Sequence, residues 1–115
     1  MIKSNCGFEY DVGTERLLIS LCGEVDHHSA AGLRRDVDEL LCRLRPVKTV
    51  LDLSGVSFMD SSGLGFIMGR YSLLRELGGS LVIAEPSPAT QRILSIAGIK
   101  RIIPIQTEKE ESENE

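Results

Sequence analysis

No excess of lysine and arginine stands out in this 115-residue chain, whose formal net charge is -4. Residues 108–115 hold five Glu and one Lys, and without them the body carries twelve acidic and twelve basic residues. A neutral body lacks the clustered basic footprint that DNA- or RNA-binding surfaces show, so no direct nucleic-acid role is expected. Long hydrophobic runs are missing too: nothing approaches the roughly 18 consecutive apolar residues of a membrane span. The start, Met1-Ile2-Lys3-Ser4-Asn5-Cys6, has no apolar signal core. A cytoplasmic protein without membrane contact is expected. Cys6, Cys22 and Cys42 are odd in number and lack C-x-x-C spacing, so they are expected as buried free thiols packing like small hydrophobes.

Catalytic and cofactor motifs are equally scarce. The two histidines are the neighbours His27 and His28, which point in different directions on a helix and so do not converge on a metal. Gly63-Leu64-Gly65 suggests a dinucleotide loop, but the fingerprint then needs glycine where Met68 stands. No G-x-x-x-x-G-K-[ST] loop is present. Gly55-Val56-Ser57-Phe58-Met59 lacks the second glycine of a nucleophile elbow, and both histidines precede every candidate serine. Neither an enzyme nor a bound cofactor is expected.

What is present is a regular alternation of periods. Phe8 to Asp11 and Arg16 to Cys22 read as strands joined by a turn at Val12-Gly13-Thr14. The second strand sets Leu17, Ile19 and Leu21 on one side and Leu18, Ser20 and Cys22 on the other, with both faces expected to be partly covered. Leu33, Val37, Leu40, Leu41 and Leu44 then make a helical stripe, capped by Asp26 or Ser29 and stopped by Pro46. A strand at Thr49 to Leu53 leads to a second helix from near Ser62, ending at Gly78-Gly79. Leu81 to Ala84 is a strand, Ser87-Pro88 opens a third helix, and Arg101 to Ile105 reads as the last strand. The order β-β-α-β-α-β-α-β predicts an α/β domain. It has a mixed, mostly parallel sheet, an N-terminal hairpin and flanking helices. Residues 107–115 have no apolar residue and are expected to form a disordered acidic tail.

One segment carries information beyond the fold. Phe58-Met59-Asp60-Ser61-Ser62-Gly63-Leu64-Gly65 lies where the chain enters the second helix. Ser61 or Ser62 can cap that helix by accepting a backbone N–H. The positive end of the helix dipole can also stabilise a phosphate placed there. The residues alone leave both readings open.

Gly23-Glu24-Val25-Asp26-His27-His28-Ser29-Ala30 and Ser57 to Gly65, together with Gly69-Arg70-Tyr71 and Ser87-Pro88-Ala89, resemble the STAS-domain anti-sigma factor antagonists. The resemblance implies a STAS fold over residues 1–106 and makes Ser61 the phosphoacceptor, leaving Ser62 as the cap. It further implies a partner surface including Asp26, His27, His28, Asp60, Ser61 and Gly63. The implied partner is an anti-sigma factor that is also a serine kinase using ATP. Unmodified antagonist binds it and frees a sigma factor for sporulation transcription, and a serine phosphatase resets the switch. The family usually continues into a further helix after the last strand, for which residues 107–115 offer no apolar stripe. Two other readings stand beside this one. The first is an antagonist or scaffold of a general stress-response pathway. The second is a small nucleotide-binding or phosphotransfer enzyme using the glycine-rich helix start.

Overall fold

The structure is a computed structural model describing residues 6–107. The expected acidic tail lies, from residue 108 on, outside the described residues. Strands β1 (Cys6–Asp11) and β2 (Arg16–Val25) form an antiparallel hairpin whose turn is tightened by the Gly13 N–H donating to Asp11 Oδ1 at 2.9 Å. Helix α1 (His27–Leu44) crosses to β3 (Lys48–Met59), and α2 (Ser61–Glu76) leads to β4 (Ser80–Ala84). Helix α3 (Pro88–Ile96), a 3-10 turn at Ile99–Arg101 and the short β5 (Ile105–Gln106) complete the chain. The sheet order is β1-β2-β3-β4-β5, parallel throughout except for the opening hairpin. This is the mixed, mostly parallel α/β arrangement expected from the alternating periods.

Parallel register explains where the core sits. Leu17, Ile19 and Leu21 of β2 share a face with Leu51 and Leu53 of β3 and Leu81 and Ile83 of β4, and all are buried. They join one apolar cluster with Leu33, Val37, Leu40 and Leu41 of α1, Phe66, Ile67 and Leu74 of α2, and Leu94 of α3. Each such side chain contributes roughly 1.5–3 kcal/mol on burial. The opposite face of β2 is partly covered, as expected, with Leu18 and Ser20 half-buried, although Cys22 at its end is exposed. Cys42 is exposed as well, so of the three thiols only Cys6 is buried, correcting the expectation for the other two. Cys42 follows the buried Leu41 and turns off the apolar stripe of α1. Burial, with Asp36 and Cys22 nearby, pushes the Cys6 thiol up to about 11.

Helices α1 and α2 are tied together by a buried cation. Arg70 Nε lies 2.6 Å from Asp38 Oδ1, while its Nη2 donates to Asp38 Oδ2 at 3.3 Å and its Nη1 to the Phe66 carbonyl at 3.2 Å. The guanidinium also sits 5.1 Å from the Phe66 ring centre. Desolvation lowers the Arg70 pKa from its ordinary value, and the Asp38 carboxylate opposes that shift. The helix carrying the Asp60–Gly65 segment is thus held against α1 by a paired charge as well as by apolar packing.

Two strand boundaries differ from the sequence reading. β3 does not end at Leu53 but continues to Met59, because two irregularities in its pairing with β2, one at Leu53–Ser54 opposite Leu21 and one at Ser57, absorb the extra residues without breaking the ladder. The last strand is not Arg101 to Ile105: that stretch is largely the 3-10 turn, Ile102, Ile103 and Pro104, with pairing only at Ile105–Gln106. Pro104 brings no N–H to a ladder.

Candidate functional site

The prolonged β2–β3 pairing builds the site. Val25 and Met59 stand in register at the strand ends, and the next residue on each strand is an aspartate that caps a helix. The Asp60 N–H donates to the Val25 carbonyl at 3.4 Å, so the N-termini of α1 and α2 adjoin.

At α1, Asp26 Oδ1 accepts from the His28 N–H at 2.9 Å and the Ser29 N–H at 3.1 Å. Ser29 Oγ accepts from the Asp26 N–H at 3.0 Å, which closes a capping box. Asp26 and Ser29, the alternative caps of the sequence reading, therefore act together. The bond from the Ser29 N–H, followed by that from His28, holds the Asp26 carboxyl below the usual carboxylate range. A folded pKa below the unfolded one makes this contribution complete above about pH 4 and lost as pH falls through the lowered folded value. The stability gap between wild type and Asp26→Ala, measured by urea unfolding, is therefore expected to be constant near neutrality and to close in acid.

At α2, Asp60 Oδ1 accepts from the Ser62 N–H at 2.8 Å and the Gly63 N–H at 3.4 Å. Asp60 is the N-cap, which corrects the expectation that Ser62 would cap this helix. Strand pairing carries Met59 to the sheet's end, so the first residue free to leave extended geometry with its side chain over the helix end is Asp60. Ser61 is then the first helical residue and is exposed. Ser62 is half-buried and lines a groove of about 400 Å³ between the helices with His27, Ala30, Arg34 and Gly65.

Gly63 is buried where a Cβ would lie 2.3 Å from Met59 Cγ and 2.9 Å from the Val25 carbonyl, so only glycine lets α2 start this close to the strand ends. His27 and His28 are both exposed, their rings edge to face with centres 5.9 Å apart. Asp26, His27, Asp60, Ser61 and Gly63 stand at the paired helix starts, with the exposed His28 beside His27 in the first turn of α1. Phe58 and Glu24, not among the expected site residues, are register partners on the adjoining strand ends and both exposed. Their signal was the continued inward setting of Val56 and Met59, visible only once β3 is extended.

Comparison with known proteins agrees with this architecture. The chain is 40% identical over 89 residues to the anti-sigma F factor antagonist of Paenibacillus polymyxa, covering 77% of this chain and 76% of that one. The solved structure of the anti-sigma factor antagonist SpoIIAA in its unphosphorylated form superposes with a TM-score of 0.75 at 28% identity, covering 95% of this chain and 94% of that one. The phosphorylated form of the Bacillus cell fate determinant SpoIIAA gives 0.68 at 28% identity, covering 95% and 97%. The STAS-domain family matches residues 9–112. With its fold, its extended β2–β3 pair and this match over most of its length, the chain belongs to the STAS-domain family.

Proposed function

We propose that this protein is a cytoplasmic anti-sigma factor antagonist of a sporulation pathway, switched by phosphorylation of Ser61. Unmodified, it binds an anti-sigma factor that is also an ATP-dependent serine kinase and so releases the sigma factor. Phosphate transfer to Ser61 ends the complex, and a serine phosphatase restores it. The observation that carries the reading is an exposed serine hydroxyl at the first position of α2, immediately after a cap that does not depend on it. The names of the relatives, one an anti-sigma F factor antagonist and one solved in phosphorylated and unphosphorylated forms, support the same reading.

The cap of α2 is the physical starting point of such a switch. Asp60 already takes the N–H groups of Ser62 and Gly63, so α2 needs no phosphate to be capped. A phosphoserine at position 61 adds nearly two negative charges beside the Asp60 carboxylate, and the helix dipole must then serve two anions. Repulsion from Asp60 turns the phosphate toward solvent, onto the surface where a partner sits. The fold survives, and the cost falls on the interface, which must desolvate a dianion. Titration calorimetry of unmodified and Ser61-phosphorylated protein against a kinase-type anti-sigma factor tests this. Phosphorylation is expected to weaken binding by about 100-fold or more, equivalent to about 2.7 kcal/mol. Equal affinity of the two forms overturns the proposal.

A further inference from the structure

The pairing of β3 with β4 stops at Asp52 and Ala84, whereas its pairing with β2 continues to Val25 and Met59. The last residues of β2 and β3 thus form a two-stranded arm beyond the rest of the sheet, and Asp26, Asp60 and Ser61 sit at its tip. Val25, Val56 and Met59 of this arm are in the core cluster. Phe58 is not: it is 49% exposed, opposite the exposed Glu24. The core takes nothing from this ring, and Met59 beside it fills the buried position. A half-exposed aromatic side chain three residues before an exposed phosphoacceptor has the composition of an interface anchor, an apolar centre with a polar rim.

We infer that Phe58 is the apolar anchor through which the anti-sigma partner docks, seated in an apolar pocket of that partner whose rim presents a basic group to Glu24. The inference rests on the antagonist reading and names the contact that reading leaves open. It also gives the switch its leverage. With Phe58 seated, the surface around Ser61 is closed to water, and a dianion there loses its hydration for no equivalent return.

The test uses the full chain, titrated against the same kinase-type anti-sigma factor, with thermal unfolding recorded for each variant. Phe58→Ala is expected to weaken binding roughly 30-fold or more, and Phe58→Leu to stay within about 5-fold of wild type because it keeps an apolar body. Phe58→Gln, a polar side chain suited to an exposed strand position, is expected to lose as much as Phe58→Ala and guards against a folding defect in the latter. Ile96→Ala, at an 82% exposed residue of α3, is expected to bind as wild type. Wild-type affinity in folded Phe58→Ala and Phe58→Gln, while phosphorylation still abolishes binding, overturns the anchor and leaves the antagonist reading intact. Failure of unmodified wild type to bind overturns both.

Discussion

Ser61→Ala is expected to take up no phosphate from the cognate kinase and ATP, whereas Ser62→Ala is expected to be labelled to the wild-type extent. A kinase must bring the acceptor oxygen into line with the γ-phosphate of its nucleotide, which requires a hydroxyl that faces out. Ser61 is exposed at the first position of α2. Ser62 is half-buried in the groove between α1 and α2, and its N–H is held at 2.8 Å by Asp60. Because Asp60 supplies the cap, neither substitution removes a helix-end hydrogen bond through its side chain. Both variants should unfold within about 0.5 kcal/mol of wild type, as surface changes do. Intact-mass spectrometry after incubation reads the result. Label that persists in Ser61→Ala and vanishes in Ser62→Ala would move the switch to the second serine.

The order of elements was legible because each element is amphipathic with its own period. Leu17, Ile19 and Leu21 alternate, and Leu33, Val37, Leu40 and Leu41 recur at helical spacing, all of them buried as that pattern implies. Ends of elements were legible where particular residues set them, as Asp26 and Ser29 do at the start of α1. Ser87 caps α3 through the Thr90 N–H at 3.2 Å, with Pro88 in its first turn, as a Ser-Pro start suggests. At Ser54-Gly55 the local signal points to a break, yet the ladder continues. Gly55 lets the β2 backbone approach, a Cβ there meeting Cys22 Cβ and the Leu21 carbonyl at 3.0 Å. A long-range pairing thus overrides a local preference.

The same override decides the cap. Aspartate and serine are nearly equal caps by propensity, so Asp60-Ser61-Ser62 is ambiguous when read along the chain alone. The ambiguity ends across the chain, where pairing of Met59 with Val25 fixes the last extended residue and hands the cap to Asp60. The site is therefore less a motif than a meeting of two strand ends. Asp26 and Asp60 do one job at neighbouring helices, and Ser61 is left with no structural duty. An exposed hydroxyl without a structural duty can be modified at little cost to the fold.

Gly63→Ala is expected to destabilise the protein by roughly 2–3 kcal/mol, the upper part of the range for overpacking a closed core. The added methyl would stand 2.3 Å from Met59 Cγ, 3.1 Å from Met59 Sδ and 2.9 Å from the Val25 carbonyl. Met59 is flexible in principle, but it is 1% exposed and surrounded by the core, so it has nowhere to go. The Val25 carbonyl accepts the Asp60 N–H and cannot retreat without opening the contact that joins the two helix starts. The strain therefore falls on the turn that presents Ser61, and partner binding should weaken along with stability. Gly65, two residues on, meets nothing within 4 Å. Gly65→Ala should instead hold or raise stability by about 0.5–1 kcal/mol, since alanine loses less entropy than glycine in a helix. Urea unfolding of the two variants side by side gives opposite signs if α2 is seated against Met59 as described. A Gly63→Ala midpoint equal to that of wild type would mean that α2 starts farther from the strand ends.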